Sequence, residues 1–315
     1  MKLFWILSGV AAVLLIAVIA IAYICYRMVF YAPPRDPSEI GKVHVPEGKI
    51  YQPYWEKMRK WGAETRALPQ EHLSIKSFDG LTLWGTYYEY APDAPIELMF
   101  HGYRGSAQRD LAGGVQRCFK LGHSALLVDQ RCSSRSDGST ITFGINEHRD
   151  CLSWLELMEE KFGPDAQIIL TGISMGAATV MMAAGKPLPK NVIGVLADCG
   201  YTSPKEIIRD VMKKSGYPVA LVYPFVKLGA RLFGSFDLEE FSPVEAMKNC
   251  TVPVIFFHGE TDDYVPCHMS RVNFDACAAG KKKLVTIPDA GHGLSYPVAP
   301  TAYLAAMGEF FHPET

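Results

Sequence analysis

The residues with the most chemical content form a five-residue run, Gly172-Ile173-Ser174-Met175-Gly176, between the apolar stretch QIILTG (167–172) and the helix-forming AATVMMAAG. G-x-S-x-G at a strand-to-helix junction has the form of a nucleophile elbow, a sharp turn that lifts a serine Oγ above a sheet. The flanking glycines leave room for that turn. A serine at its ordinary pKa is a poor nucleophile and needs a base beside it. Of nine histidines, His292 is the best placed, in the small-residue loop Asp289-Ala290-Gly291-His292-Gly293 just beyond the last strand-like run. His312 is terminal, His148 opens a helix and His258 ends a strand, while His44, His72, His123 and His268 lack a supporting context. A carboxylate that orients the base by accepting its second N–H should follow a strand between the two. VPVIFFHG (252–259) leads into Glu260, Asp262 and Asp263, and the residues alone leave all three open, with Asp263 also suited to capping the next helix. The negative charge of a tetrahedral intermediate needs backbone N–H donors. Met175, after the serine, and Tyr103, in the loop His101-Gly102-Tyr103-Arg104-Gly105-Ser106, are the expected pair. His101 reads as structural, and Arg104 as a solvated side chain first and a cation near an acidic substrate group second.

These residues must be held by a sheet. The runs IELMF (96–100), SALLVD (124–129), QIILTG (167–172), VIGVLAD (192–198), VPVIFF (252–257) and KLVTIP (283–288) are nearly continuously apolar. Strands of that kind are covered on both faces, as in a parallel sheet between helices. Before them, LSIKSF (73–78) and LTLWGTYYEY (81–90) flank Asp79-Gly80, a hairpin signal, giving eight strands in all. Helical stretches are expected near 107–120, 146–162, 175–185, 266–279 and 297–312. The second carries Leu152, Leu155, Met158 and Phe162 at spacings of three and four, one buried face. Alternation of this sort predicts an α/β layered fold. About fifty residues after the sixth strand lack a convincing strand. Ligands bind at the carboxyl edge of such sheets, so this insertion, 202–249, is expected to roof a pocket, with Tyr217, Leu221, Tyr223, Phe225 and Phe233 as apolar lining.

The amino-terminal residues are of another composition. Leu3 to Ile24 is a 22-residue run without charge. As a helix it would extend about 33 Å, against about 30 Å of hydrocarbon. A signal peptide is the rival, but its apolar region is shorter and ends at small residues, whereas Tyr23, Cys25, Tyr26 and Arg27 follow here. The expected division is therefore a single-pass membrane anchor and flank (1–30), with residues 3–26 in the bilayer, a tether and helical segment (31–69) packing onto the domain, and a catalytic domain (70–315), which a resemblance to small membrane-anchored bacterial hydrolases, and not the nearly even flanking charge, places outside the cytoplasm. Removal of residues 1–30 is expected to leave a soluble, active domain. With 31 basic against 33 acidic residues, a net charge of -2 gives no footing for nucleic acid. There is no HExxH, GxxxxGK[ST] or GxGxxG, so neither metal nor cofactor is expected. The eight cysteines read as buried free thiols.

Over residues 70 to 312 the chain resembles the α/β-hydrolase superfamily, in particular bacterial serine hydrolases grouped with esterases and serine aminopeptidase-like proteins. The likeness is carried by HGYRGS (101–106), DQRCSSRSDG (129–138), ITFGINEHRD (141–150), GISMG (172–176), HGETDDYVP (258–266) and AGHG (290–293). It implies a mostly parallel eight-stranded sheet flanked by helices, with a helical cap after the sixth strand. The family's H-G-x-x-D-x-x-V-P pattern places the acid on Asp262, its oxyanion position falls on Tyr103, and Ser174, Asp262, His292 follow the superfamily's order. Cys132 and Ser134 stand where members commonly have glycine, which should restrict that loop; Asp129 and Arg131 read as its anchors. The implied activity is hydrolysis of carboxylic esters with an apolar acyl or aryl group through an acyl-enzyme. Peptidase, amidase or thioesterase activity is the first alternative, and a non-catalytic membrane-anchored binding protein the second.

Overall fold

The structure is a computed structural model that describes residues 1–33, 42 and 44–312. Eight strands form one sheet in the order β1-β2-β4-β3-β5-β6-β7-β8. They are β1 (Glu71–Lys76), β2 (Thr82–Tyr88), β3 (Ile96–Phe100), β4 (Ser124–Asp129), β5 (Ile168–Ile173), β6 (Val192–Asp198), β7 (Val254–Gly259) and β8 (Lys282–Ile287). Only β2 runs against its neighbours; every pairing from β4 through β8 is parallel. This is the α/β-hydrolase arrangement that the motifs imply.

The apolar runs are explained by what covers them. Side chains alternate across a strand. Leu98, Phe100, Leu126 and Val128 point to one face and join Trp154, Leu155 and Met158 of α5 (Glu147–Phe162). Met99, Ala125 and Leu127 point to the other and join Val115 and Cys118 of α4 (Ala112–Lys120). Both faces are dry, so alternation of polar and apolar residues is absent. The stretch expected at 107–120 breaks into α3 (Ala107–Asp110), capped by the Ser106 side chain, and α4. The expected tether helix is α2 (Trp55–Ala67); Trp61 stacks on Tyr296 at 5.3 Å and Thr65 donates to the Ala112 carbonyl.

After β6 the insertion contributes α7 (Pro204–Lys214), α8 (Val219–Gly234) and α9 (Pro243–Met247). Its apolar side chains do not line the pocket as expected. Tyr223 and Phe233 instead pack into a cluster with Cys25, Tyr26 and Phe30 of the amino-terminal segment. Helix α1 (Lys2–Val29) is the one helix among the described residues long and apolar enough to cross a membrane. Its first part is exposed, but its last turns are seated on the domain. Gly229 of α8 lies so close that a Cβ there would meet the Ala22 carbonyl oxygen at 2.4 Å. Tyr26 Oη and Thr140 Oγ1 are 2.7 Å apart, and Phe30, fully buried, packs edge-on to Phe143 and Phe236. Backbone bonds from Ile141 to Phe30 and from Ala32 to Ser139 continue the attachment. The expectation that residues 1–30 can be removed cleanly is therefore corrected. Apolarity marks the whole of 3–24 alike, yet Ala22, Cys25, Tyr26 and Phe30 are buried against the domain while Tyr23, Ile24 and Met28 between them stay exposed.

Candidate active site

Strand β5 ends at Ile173 and α6 (Met175–Ala184) begins two residues later, with Ser174 between them at φ 57° and ψ -116°. A non-glycine residue with positive φ is uncommon and costs free energy, so surrounding packing must enforce it. The two glycines of the motif make that packing possible. A Cβ at Gly172 would meet the Gly176 carbonyl oxygen at 2.1 Å, and one at Gly176 would meet the Phe100 carbonyl oxygen at 2.0 Å.

The structure brings Ser174, His292 and Asp262 together from three loops at the carboxyl edge of the sheet. Ser174 Oγ lies 2.9 Å from His292 Nε2, and His292 Nδ1 lies 2.7 Å from Asp262 Oδ2. An ionised carboxylate only accepts, which puts the imidazole proton on Nδ1 and leaves Nε2 to receive the serine proton. Asp262 Oδ1 accepts from the Tyr264 and Val265 N–H groups at 2.9 and 2.8 Å. Burial alone would raise its pKa; hydrogen bonds from His258 and His292 and their charge outweigh it and hold the carboxyl well below the ordinary range. Of the three acids left open by the residues, Glu260 instead accepts from Thr286, and Asp263 lines the cavity mouth without reaching His292.

Backbone N–H groups of Tyr103 and Met175 make no hydrogen bond among the described residues. Met175 is the first residue of α6, where helical N–H groups have no intrahelical acceptor and the dipole is positive. The Tyr103 loop is pinned from one side by Asp110, whose Oδ2 accepts from Gly102 N–H at 3.2 Å and which is in turn gripped by Arg109. His101 uses both ring nitrogens structurally, donating to the Gly102 carbonyl and accepting from Gln130 N–H.

A cavity of about 850 Å³ opens over Ser174 and His292. Its walls are unexpected. Residues 44–51, Met58 and Trp61 of the tether line it together with Arg109, Asp110, Tyr264 and Tyr296, and among the described residues none from 202–249 contributes. Tyr51 is held here in apolar surroundings; burial, then the nearby negative groups, pushes its phenol well up. No periodicity marks 44–51, so only its place between α1 and the domain points to its covering the site.

Three more residues escaped the sequence. His258 backs the acid, its Nε2 3.3 Å from Asp262 Oδ2, and lies one helical spacing before it. Tyr264 packs its ring against His292 at 5.1 Å. Cys199 brings a thiol within 4.8 Å of Asp262 and His292, a set of atoms with metal-ligand chemistry. Burial pushes that thiol far above its ordinary value, so it stays protonated, and the other two groups are already committed to each other.

Around the site, Arg131 forks onto Asp150 at 2.7 Å through two nitrogens and also reaches Asp79. Asp129 lies 3.8 Å from Arg135. Cys132 and Ser134 adopt φ 66° and 51°. Both residues thus hold the left-handed conformation that glycine adopts freely, at a cost in backbone strain. Arg104 is exposed, as expected, and its guanidinium also donates to the Met28 and Tyr31 carbonyls, both at 3.0 Å.

No family model matches the chain. Uncharacterized protein YqkD of Bacillus subtilis strain 168 is 25% identical over 300 residues, 94% of each chain. Protein bem46 of Schizosaccharomyces pombe is 24% identical over 229 residues, 70% of each. Among solved structures, the Pyrococcus furiosus esterase Pf2001 superposes with a TM-score of 0.65 at 20% identity, covering 79% of this chain and 92% of that one. Est1E of Butyrivibrio proteoclasticus, with ferulic acid bound, gives 0.58 at 19% identity, covering 76% and 98%. At these identities the likeness shows the fold. The chain is an α/β-hydrolase-fold protein, similar in structure to esterases.

Proposed function

We propose that the chain is a serine hydrolase of carboxylic esters held at a membrane by α1. The observation that carries the reading is the relay of two hydrogen bonds, Ser174 Oγ to His292 Nε2 at 2.9 Å and His292 Nδ1 to Asp262 Oδ2 at 2.7 Å, beneath an open cavity. Ser174 attacks the ester carbonyl as His292 takes its proton. Asp262 fixes the ring and stabilises the imidazolium. N–H groups of Tyr103 and Met175 receive the oxyanion, and the leaving alkoxide takes the proton from His292. Water, deprotonated by His292, then releases the acid and restores Ser174. Aromatic walls from Tyr51, Trp61, Tyr264 and Tyr296 favour an apolar acyl or aryl group, and alkoxides leave more readily than amines. The structural likeness to proteins named esterases supports the same class.

A fluorophosphonate probe tests the chemistry. The full chain is expected to label, and the Ser174→Ala variant is not; equal labelling of both, or of neither, rejects the assignment.

The membrane reading rests on length and exposure. Residues from Leu3 to Leu15 include large apolar side chains 53 to 71% exposed, more than a water-facing helix would carry, and the span is long enough for a bilayer. Deleting residues 2–17 is expected to move the protein from the membrane fraction to the soluble fraction while keeping ester turnover, because the contacts from Ala22 onward remain. Deletion through residue 30 is expected to give insoluble or unfolded protein, since losing buried Phe30 alone should cost about 3–5 kcal/mol. Membrane partition and thermal unfolding of the two truncations check this.

A further inference from the structure

The last carbonyls of an α-helix lack intrahelical donors and carry its negative dipole end. In α1 they are met by the oxyanion loop. Tyr103 Oη donates to the Val29 carbonyl at 2.7 Å, and the Arg104 guanidinium donates to the Met28 and Tyr31 carbonyls. Arg104 also lies over the Tyr103 ring, 5.2 Å from its centroid, and that ring packs at 5.0 Å from Phe143, which in turn packs edge-on to Phe30. The Arg104 backbone has φ 52°, a conformation that a non-glycine residue keeps only where its surroundings over-determine it. Toward the sheet, Gly102 is fixed by Asp110. The Tyr103 peptide is therefore held between a clamp on the domain and a clamp on the end of α1.

We propose that the carboxyl end of α1 is a working part of the active site: through Tyr103 Oη and Arg104 it positions the Tyr103 N–H for the oxyanion, so that turnover depends on the seating of the membrane helix. The inference rests on the hydrolase reading above and deepens it. Tyr103 serves twice, by its N–H toward the substrate and by its hydroxyl toward the helix, and Arg104 is a positioning residue. A hydrogen bond to a developing oxyanion contributes chiefly in the transition state, so misplacing its donor lowers kcat more than it raises KM.

The test uses the full chain in detergent micelles, p-nitrophenyl butyrate as substrate and a fluorophosphonate as active-site probe. Tyr103→Phe removes one hydroxyl and leaves the N–H. It is expected to lower kcat about tenfold with KM changed by less than about twofold, and to slow fluorophosphonate labelling in parallel, since an oxyanion donor is worth about a hundredfold or more when lost outright. Arg104→Ala is expected to do the same or more, and Arg104→Lys, which keeps a donor for one carbonyl, to recover part of the loss. Unchanged kcat in Tyr103→Phe overturns the proposal, as does a lowered unfolding temperature at unchanged kcat, the signature of a merely structural contact. Should Arg104→Ala fail to fold, Tyr103→Phe decides alone. Failure of the wild-type chain to turn over ester or to label would overturn the hydrolase reading itself, and with it the oxyanion role, and is told apart because it precedes any variant.

Discussion

Replacing His292 with alanine is expected to lower ester turnover by about a million-fold while leaving the unfolding free energy within about 0.5 kcal/mol. The size of the first effect follows from the unit that the three side chains form. Ser174 without a base is an alcohol at its ordinary acidity, and among the described residues no other imidazole hydrogen-bonds to its Oγ. The smallness of the second follows from what surrounds the ring. His292 sits on a loop and is partly exposed, so its removal leaves little cavity. Its partner is not orphaned either: Asp262 keeps the Tyr264 and Val265 N–H groups on Oδ1 and has His258 3.3 Å from Oδ2. A buried carboxylate that retains such partners does not have to be neutralised. Steady-state turnover of a p-nitrophenyl ester and thermal unfolding of the same preparation separate the two effects. An active His292→Ala protein would move the base elsewhere, and a strongly destabilised one would show that the imidazole is also a structural pillar.

The parts of this arrangement that local chemistry dictates were readable from the residues. Strands β3 to β7 announce themselves because burial on both faces forces continuous apolar runs, and Ser174 does because the turn needs glycine at both 172 and 176. His292 follows from its small-residue loop. Asp262 could be told from Glu260 and Asp263 only through the superfamily's pattern, since neighbouring acids on a loop differ in direction and not in type. What could not be read is which apolar surface meets which. Tyr223 and Phe233 were expected over the pocket, yet they pack toward Tyr26 and Phe30, and both destinations bury the same side chains. Segment 44–51 has no repeating pattern, and its place over the site is decided by residues far along the chain, such as Gly291 against Ile50. Cys132 and Ser134 show a third limit. Departure from glycine suggests a different loop, whereas both residues hold the left-handed conformation and tolerate the strain, with Arg131 anchored by Asp150 and Asp79 beside them.

The elbow's dependence on close backbone approach predicts a large effect on folding. Gly176→Val is expected to destabilise the domain by at least about 3 kcal/mol, at the upper end of the usual overpacking cost. A Cβ at 176 would fall 2.0 Å from the Phe100 carbonyl oxygen, 2.5 Å from its carbon and 2.8 Å from the His101 carbonyl oxygen. All three are backbone atoms at the end of β3, so no rotamer change relieves the clash; either α6 or the His101–Tyr103 loop must move. Motion of either displaces one of the two proposed oxyanion donors, since Met175 begins the helix and Tyr103 lies on the loop, so any folded fraction should be inactive as well. Gly308, in the helix Pro300–Phe311, provides the contrast. A Cβ there meets nothing within 4 Å, and in a helix interior alanine is favoured over glycine by about 0.5–1 kcal/mol. Gly308→Ala should therefore raise the unfolding midpoint and keep full turnover. Denaturant titration of both variants beside the parent decides it: a Gly176→Val protein as stable as the parent would mean that β3 and α6 can separate, and that the serine is not held up by the packing described.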